Sequence, residues 1–419
     1  MKILVLGGGG REHAIIQKLS MSKEVEKIYS APGNGGIARL AECVPIQVME
    51  FEKLIDFAKA NKVDLTVVAP DDPLVAGAVD AFEEAGLRAF GPSKAAALIE
   101  GSKAFSKNLM KKYNIPTAGY EVFAVSDEAI EYIRSENKFP VVIKADGLAL
   151  GKGVIIANDC VEAEKAVREI MEDKVFGAAG GQVVVEEFLV GPEISVLAFT
   201  DGKTMVPMVS AQDHKRALDG DKGLNTGGMG TFSPSRIYNE ELANECMTKI
   251  FLPTMEAMKA ENRTFKGVLY FGLIQTSEGV KVIEYNCRFG DPETQVVLPR
   301  LKTDLVEIFN AVVDERLSEC DIEWEDNACV CVVLASGGYP KKYNTGYVID
   351  GIKQAESLGA MIFHAGTQFD GENYTTAGGR VLGVTACGKT LDEAIEKAYK
   401  YVDVVHFKDA HFRHDIGIK

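Results

Sequence analysis

The first twenty residues constrain the fold of this chain more than any other segment. An apolar stretch, Ile3–Leu6, runs directly into four consecutive glycines, and Arg11–Ser20 then has the pattern of a helix. Strands are predicted again at Val25–Tyr29 and Asp64–Ala69, followed by a helix at Leu74–Ala85. Strands that alternate with helices in this way pair in parallel within one sheet. Ligands of such sheets bind beyond the carboxyl ends of the strands.

Three loops follow these strand ends, at Gly7–Gly10, at Gly33–Gly36 and at Asp71-Asp72-Pro73. Glycines at the start of a helix let backbone N–H groups approach a phosphate. The dinucleotide fingerprint is absent, because Glu12 stands where its last glycine belongs and no acidic residue ends the second strand. The first loop therefore predicts a phosphate-bearing substrate rather than NAD, with a tight turn that binds no ligand as the alternative.

The rest of the chain predicts three further units: a small α+β module, a platform of longer strands and a small closing unit. A helical stretch, Ser93–Tyr113, interrupted near Gly101, leads into them. Their predicted elements are strands Val141–Ala145 and Val154–Ala157, helix Val161–Glu172, strands Gln182–Leu189, Ile194–Thr200 and Met205–Ala211, helix Glu240–Lys259, strands Gly267–Thr276, Val280–Tyr285, Cys329–Ala335 and Arg380–Thr385, and helix Leu391–Val404. The close spacing of the strands in the module indicates antiparallel pairing.

The module contains a glycine-rich loop between two strands. Lys144 ends the first strand, and Gly147, Gly151, Lys152 and Gly153 follow before the second strand begins. This pattern predicts a hairpin loop that covers phosphates, and it differs from the P-loop, which needs Gly-Lys-Ser or Gly-Lys-Thr entering a helix. An exposed glycine-rich hairpin is the alternative.

Two further segments have weaker signals. Glu186-Glu187-Phe188 ends an apolar strand and offers backbone groups to an adenine edge, while Glu193 could accept from ribose hydroxyls; a solvated strand end explains this pattern equally well. Between the two halves, Asp213-His214-Lys215 and the glycine-rich loop Asn225–Gly230 suggest contact with a substrate, although His214 alone could be a surface histidine.

The most informative stretch is the strand that contains Glu284 and Asn286. These residues are two apart, so their side chains leave the same face of the strand. Two hard oxygen ligands on one face suit Mg²⁺ bound to nucleotide phosphates. Arg288 continues that face and could clamp an anionic oxygen. Ordinary alternation on an exposed strand is the alternative.

Composition excludes several classes of function. Lys and Arg number 46 against 61 Asp and Glu, a net charge of −15 that disfavours general nucleic-acid binding and adhesion to anionic membranes. No apolar run approaches the roughly 20 residues of a membrane span. The eight cysteines lack paired CxxC spacing and the six histidines form no HExxH, so reduced thiols are expected rather than disulfides or zinc.

Together these motifs resemble the ATP-grasp superfamily and, within it, the family of phosphoribosylamine–glycine ligases (glycinamide ribonucleotide synthetases), over essentially the whole chain. The segments that carry the resemblance are Gly8–Ala14, Ala31–Asn34, Gln212–Lys215, Asn225–Gly230, Arg288–Gln295 and Asp415–Gly417. The chain departs from the family at Pro70-Asp71-Asp72-Pro73, where a Glu is common, and Asp71 or Asp72 is expected to substitute.

The resemblance implies ATP-dependent ligation of glycine to 5-phosphoribosylamine through glycyl phosphate in de novo purine biosynthesis. Such a reaction needs charge neutralisation and alignment more than a protein nucleophile. The implied catalytic residues are Arg288, Lys144 and Asp291. The implied ATP-binding residues are Lys103, Lys144, Gly147, Gly151, Lys152, Gly153, Glu186, Glu187, Phe188 and Glu193. Those implied for the other substrates are Gly8, Gly9, Gly10, Asn34, Gly35, Asp213, His214, Asn225, Gly228 and Arg288. Glu284 and Asn286 are implied ligands of Mg²⁺ or Mn²⁺.

The resemblance also implies an α/β and α+β multidomain architecture with the ATP-grasp fold. Residues 1–102 would form an N-terminal parallel α/β (pre-ATP-grasp) substrate-binding domain, and residues 103–120 and 191–326 the central subdomain. Residues 121–190 would form a lid that closes over ATP and excludes water, and residues 327–419 a small C-terminal α/β domain. A cytoplasmic monomer in transient contact with the upstream amidotransferase is expected.

Two alternatives remain open from the sequence. Another ATP-grasp enzyme, biotin-carboxylase-like or formate-using, would differ in its acceptor substrate. A non-catalytic nucleotide sensor would have no need for Arg288 at the transfer point, and turnover of Mg-ATP separates it from an enzyme.

Overall fold

The computed structural model describes residues 1–149 and 153–418, and its N-terminal part is the predicted parallel sheet. The strands are β1 (Lys2–Gly7), β2 (Lys27–Pro32), β3 (Glu42–Cys43), β4 (Leu65–Val68) and β5 (Ala89–Phe90), and the helices are α1 (Gly10–Ser20), α2 (Phe51–Asn61), α3 (Asp71–Ala76), α4 (Ala78–Glu84) and α5 (Lys94–Gly101). All pairs in the order β3-β2-β1-β4-β5 are parallel. Leu4 and Leu6 pack into one hydrophobic core, and Ile3 and Val5 pack into a second. Burial of both faces of β1 explains its uninterrupted apolar run.

The helix predicted at Leu74–Ala85 is two helices rather than one. Gly77 has a φ of 99°, and this left-handed conformation ends α3 before α4 begins. The first of them, α3, begins directly after the end of β4, so Asp71 lies at the carboxyl edge of the sheet.

Residues 103–187 form a second, antiparallel sheet with its own core. They contain α6 (Lys103–Lys112), β6 (Tyr120–Phe123), α7 (Ser126–Glu136), β7 (Val141–Ala145), β8 (Val154–Ala157), α8 (Cys160–Met171) and β9 (Val183–Glu187). The strand order is β6-β9-β7-β8, and the predicted antiparallel pairing is confirmed. Gly151 and Lys152, two of the predicted ATP-binding residues, lie outside the described residues.

The platform predicted after residue 190 is a four-stranded antiparallel sheet in the order β11-β10-β16-β17. This segment contains β10 (Glu193–Thr200), β11 (Met205–Pro207), β12 (Gln212–Asp213), β13 (Arg216–Leu218), β14 (Lys222–Asn225), β15 (Gly230–Ser233), α9 (Glu240–Cys246), α10 (Leu252–Ala260), β16 (Gly267–Thr276) and β17 (Gly279–Asn286). A π-helical turn, Met247–Phe251, joins α9 to α10. The strand predicted to reach Ala211 ends at Pro207, and regular pairing with β10 resumes only at Ala211, which exchanges two backbone hydrogen bonds with Ser195.

The last sheet combines strands from distant parts of the chain, in the antiparallel order β12-β15-β18-β22-β19. The C-terminal elements are α11 (Thr294–Val297), α12 (Leu305–Val313), β18 (Ala328–Ala335), α13 (Ile352–Ser357), β19 (Met361–His364), β20 (Thr367–Phe369), β21 (Tyr374–Thr376), β22 (Arg380–Gly388) and α14 (Leu391–Val402). Since β15 pairs with β18, this sheet spans the predicted domain boundary at residue 326, and the boundaries themselves stay a prediction. Within the described ranges no helix is long and apolar enough to cross a membrane.

Candidate active site

One cavity of about 860 Å³ brings together most of the residues predicted from the sequence. Its walls come from α6, from the ends of β7 and β9, from the loops around β12 to β14, and from β17 and the segment after it. The predicted residues that line it are Lys103, Lys144, Gly147, Gly153, Glu186, Glu187, Phe188, Glu193, Asp213, His214, Asn225, Glu284, Asn286, Arg288 and Asp291.

The other described residues of the prediction lie outside this cavity. Gly8, Asn34 and Gly35 line a second cavity of about 600 Å³ beside the β20–β21 hairpin. Gly9, Gly10 and Gly228 are not among the described residues that line either cavity. Gly228 turns the chain beside Asp213 with a φ of 108°, and a Cβ there would lie 2.8 Å from Asp213 Oδ1. Both the conformation and the space therefore require glycine.

A β-bulge in β17 aims its polar side chains at the main cavity. Two neighbouring residues of β16 pair with Val282 and with Glu284, so Ile283 is an extra residue in β17. The extra residue reverses the alternation of the strand, which places Glu284 and Asn286 on the cavity wall and packs Tyr285 into the core. Bulges are common beside active sites because they re-aim side chains in this way.

Glu186, at the end of β9, neutralises two buried lysines. Its Oε2 accepts hydrogen bonds from the Nζ of Lys144 and lies 2.9 Å from the Nζ of Lys107, and each of the three side chains is at most 5% exposed. Burial lowers the pKa of Lys107 to about 8, although Glu186 opposes the shift. Glu186 Oε1 is buried with no hydrogen-bond partner among the described residues, so it can accept from a donor in the cavity.

The loop after β7 is tied to the N-terminus of α6. Asp146 Oδ1 accepts hydrogen bonds from the Ser102 hydroxyl at 3.0 Å and from the backbone N–H of Ala104 at 3.1 Å. A carboxylate in this position caps the free N–H groups of a helix. Lys103 Nζ donates to the carbonyl oxygen of Gly147 at 3.0 Å, which fixes this lysine beside the loop.

Lys215 lies between two carboxylates of the cavity wall. Its Nζ is 3.3 Å from Glu284 Oε1 and 3.4 Å from Glu193 Oε2. Lys215 lowers the pKa of Glu284 to about 2 against the opposing effect of burial, and Lys144 and Lys103 add to the shift. Glu284 is therefore a carboxylate throughout the neutral pH range.

Arg288 is held by acids from the N-terminal part of the chain. Its Nη2 donates to Glu100 Oε1 at 2.9 Å and lies 3.7 Å from Asp71 Oδ2. Burial opposes its charge, but Glu100 and Asp71 outweigh burial and raise the pKa of Arg288. Of the two acids in the departing loop, Asp71 lines the cavity and Asp72 is exposed. Asp71 is thus the acid that is available to substitute for the family's Glu.

The C-terminal sheet positions Asp291. Arg380, at the start of β22, donates through Nη2 to Asp291 Oδ2 at 2.9 Å and through Nη1 to the Asp291 carbonyl at 2.8 Å. Gln295 donates to Oδ1 at 2.7 Å. Burial raises the pKa of Asp291, but the guanidinium groups of Arg380 and Arg11 outweigh burial and lower it. The unit predicted to close the structure therefore contributes a cation to the cavity itself.

The first glycine loop is capped by its own helix. Glu12 Oε2 accepts a hydrogen bond from the Gly9 N–H at 2.6 Å, so this carboxylate occupies one of the donors that were expected to face a phosphate. The Asn34 side chain is also used within the protein, because it donates to the carbonyl oxygens of Gly8 at 2.9 Å and His364 at 2.8 Å. A ligand at this loop would therefore meet backbone groups rather than the Asn34 amide.

The residues present fit a metal ion that shares its ligands with a polyphosphate. The described part of the chain has no group of three His, Cys, Asp or Glu side chains that could hold a metal alone. Glu284 and Asn286 supply two oxygen donors on one face, and the low pKa of Glu284 keeps its donor charged. Mg²⁺ in nucleotide sites commonly takes only one or two protein ligands besides phosphates and water.

Sequence reasoning missed several charged residues of the cavity, among them Arg11, Glu100, Lys107, Lys215 and Arg380. Arg11 and Lys215 lie within the segments Gly8–Ala14 and Gln212–Lys215, which carry the family resemblance, so their position in the sequence could have indicated that they belong to the site. Glu100, Lys107 and Arg380 have no local signature, because only the packing of distant elements brings them to the cavity.

Family models and known proteins match the whole length of the chain. Models described as phosphoribosylglycinamide synthetase N domain, ATP-grasp (A) domain and C domain match residues 1–100, 101–294 and 329–419. A phosphoribosylamine–glycine ligase of Caldanaerobacter subterraneus is 50% identical over 417 residues, which cover 100% of this chain and 99% of that protein.

Solved structures match as well. The phosphoribosylamine–glycine ligase of Thermotoga maritima has a TM-score of 0.85 and 34% identity, covering 99% of this chain and 100% of that one. The biotin carboxylase domain of a Hydrogenobacter thermophilus 2-oxoglutarate carboxylase, crystallised with MgADP and bicarbonate, has a TM-score of 0.72 over 98% of this chain and 91% of that one. At 15% identity, the second likeness shows the fold alone.

The fold and the cavity define an ATP-grasp ligase. The predicted fold class is confirmed by these matches. Within that class, the chain belongs to the phosphoribosylglycinamide synthetase family, and its activity is the ATP-dependent ligation of glycine in purine biosynthesis.

Proposed function

We propose that the main cavity binds ATP and glycine, that 5-phosphoribosylamine binds at the first glycine loop next to it, and that glycine and the amine are joined through glycyl phosphate. One observation carries this proposal: the oxygen pair Glu284 and Asn286 shares a single cavity with Lys103, Lys144 and Arg288. Phosphoryl transfer needs this combination of fixed positive charge and oxygen ligands, since its barrier is lowered by alignment and charge neutralisation.

The nucleotide lies between the two antiparallel sheets. Lys103 and Lys144 contact its phosphates, and Gly147 and Gly153 of the glycine loop lie beside them. The roles of Gly151 and Lys152 stay a prediction, since both lie outside the described residues. The segment Glu186–Phe188, including Glu187, contacts the adenine, and Glu193 accepts from the ribose. Mg²⁺ or Mn²⁺ held by Glu284 and Asn286 supplies positive charge that neutralises the phosphates.

Glycine binds beside Asp213, with its ammonium group toward that side chain. Burial and the nearby Glu293 carboxylate raise the pKa of Asp213 well above its usual value, against the effect of Lys215 and Arg380. Buried acids that are incompletely neutralised favour a cationic ligand. The glycine carboxylate then faces Arg288, and the loop that carries Asn225 and Gly228, with His214, closes the site.

The chemistry proceeds in two steps that balance. A carboxylate oxygen of glycine attacks the γ-phosphorus of ATP, and the bond to ADP breaks. The amine of phosphoribosylamine, bound near Gly8–Gly10, Asn34 and Gly35, then attacks the acyl carbon. The bond to phosphate breaks, and the amine nitrogen gives one proton to the departing phosphate. Arg288 steadies the transferred phosphoryl group, and Asp291 accepts a hydrogen bond from the amine.

The experiment that tests this proposal measures ADP release with Mg-ATP, glycine and phosphoribosylamine made in situ, omitting each in turn. ADP that appears only with all three, together with glycinamide ribonucleotide, is the expected result. Dependence on bicarbonate or another carboxylate in place of glycine would contradict the substrate assignment. Glu284→Gln should abolish turnover while the protein stays folded.

We also propose that the enzyme acts as a monomer in the cytoplasm, where its cysteines stay free thiols. Because its amine substrate is unstable, it contacts the amidotransferase that supplies the amine, and this contact is transient. Light scattering would measure the monomer mass, and a stable dimer would contradict this part of the proposal.

A further inference from the structure

Lys215 contacts the carboxylate that the proposed function assigns to the metal. Three lysines act electrostatically on Glu284, but two of them make their closest contacts elsewhere. Lys144 pairs with Glu186, and Lys103 donates to the Gly147 carbonyl. Among the described residues, Lys215 is therefore the cation in direct contact with Glu284, at 3.3 Å.

The position of Lys215 is fixed through its backbone rather than its side chain. Its carbonyl oxygen accepts from the N–H of Thr226 at 2.8 Å and from the Thr226 hydroxyl at 2.9 Å. The preceding residue, His214, donates its N–H to the Gly230 carbonyl at 2.9 Å. The backbone is thus clamped to the loop Asn225–Gly230, while the flexible side chain can move its ammonium group between partners.

A divalent cation at Glu284 would use the same carboxylate whose Oε1 now contacts the Lys215 ammonium group. The ion pair is partly exposed, with 33% of the Lys215 side chain and 31% of the Glu284 side chain accessible, so it is weak enough to exchange. When Lys215 leaves Glu284, its remaining neighbour in contact is Glu193, on the same cavity wall. There the ammonium group can pair with an anionic phosphate or carboxylate.

We propose that Lys215 is a tethered cation that competes with the divalent metal for Glu284 and moves to the nucleotide phosphates when the metal binds. The proposal rests on the proposed function, because it requires Glu284 to be a metal ligand. Its consequence is coupling: metal alone must break the Lys215 contact, whereas metal with nucleotide lets Lys215 form a new one. Each ligand should therefore strengthen the binding of the other, by the same factor.

The test is a titration of the full chain with Mn²⁺ alone and again with ADP, in which free Mn²⁺ is measured by electron paramagnetic resonance. Lys215→Met should bind Mn²⁺ alone about two- to five-fold more tightly than the natural protein, since the partly exposed ion pair with Glu284 no longer competes. ADP should then strengthen Mn²⁺ binding by a smaller factor than in the natural protein. Lys103→Met is the matched control, because Lys103 also acts electrostatically on Glu284 but makes no direct contact with it.

Three outcomes would overturn the inference. Unchanged or weaker Mn²⁺ binding by Lys215→Met would show that the lysine does not compete. An equal gain in Lys103→Met would show a general field effect rather than competition for Glu284. Unchanged coupling between Mn²⁺ and ADP would exclude the movement to the phosphates.

Two further measurements keep the test decisive. If Lys215→Met does not fold, ¹³C-methylated Lys215 in the natural protein should shift its NMR signal when Mg²⁺ is added, and a signal that does not move would refute the competition. Glu284→Gln separates the two proposals. If it binds Mn²⁺ normally, the metal site of the proposed function is wrong. If it loses Mn²⁺ while Lys215→Met behaves like the natural protein, only the role of Lys215 is wrong.

Discussion

Replacing Asp146 tests whether the glycine loop is held to the nucleotide site through the start of α6. Asp146→Ala removes two hydrogen bonds, from the Ser102 hydroxyl and from the Ala104 N–H. Loss of such a cap costs about 1–2 kcal/mol, and the lost charge at the helix N-terminus adds about 0.5 kcal/mol. Because these hydrogen bonds already hold the loop in the absence of nucleotide, a released loop must be ordered again when nucleotide binds, and about 2 kcal/mol corresponds to a roughly 30-fold rise in the KM for ATP.

The assay is steady-state ADP release at varied ATP, with glycine and phosphoribosylamine saturating. The KM for ATP should rise about 10- to 30-fold, and kcat should stay within about threefold, because the groups proposed to contact the reacting atoms remain. Asp159→Ala is the matched control. It removes another helix cap, on Glu162 N–H at 2.9 Å, which lies within the same antiparallel unit and makes no bridge to α6. Equal shifts in the two variants, or no shift in Asp146→Ala, would refute the reasoning.

Two more predictions concern the site, and a third concerns His13, a buried histidine of α1. Gly228→Ala should raise the KM for glycine at least about ten-fold, because a Cβ at a φ of 108° would push against Asp213; an unchanged KM would place glycine elsewhere. Arg380→Met should lower kcat/KM for ligation roughly 10- to 100-fold while the Kd for ADP, measured by calorimetry, stays within about threefold, since only the Asp291 side of the cavity loses its cation. Burial lowers the pKa of His13 from 6.5 to about 4, so the unfolded chain binds more protons between these pH values and stability falls as pH drops below 6.5. By pH 4 this loss amounts to about 3 kcal/mol, and the Tm of His13→Gln should fall less steeply than that of the natural protein between pH 6.5 and 4.5.

Local patterns predicted the elements that depend on local physics. The apolar run of β1 with its glycine turn led directly to the parallel sheet, because burial of both faces leaves an unmistakable composition. The same holds for β7 and β8 around their glycine loop, where strand and turn residues alternate clearly. The prediction for Met205–Ala211 was wrong after Pro207, because apolar composition does not report where a strand leaves the regular register of its neighbour.

The bulge at Ile283 shows where pattern reasoning stops. The sequence placed Glu284 and Asn286 on one face of a strand, and both indeed line the cavity. One extra residue in the pairing of β16 with β17 decided that this face points to the cavity rather than to the core. A one-residue shift exchanges the two faces of a strand, and no local property of Ile283 predicts that the bulge occurs there.

The sequence by itself determined which chemical groups this protein has available: glycine loops at strand ends, lysines beside them, and a carboxylate and an amide spaced for one face of a strand. Only the tertiary structure decided how these groups are charged and held. Glu100 and Arg380 reach the cavity from elements almost 300 residues apart in the chain, and Lys215 meets Glu284 across two loops. Electrostatic interactions depend on distances of a few ångströms in space, and separation along the chain carries no information about them.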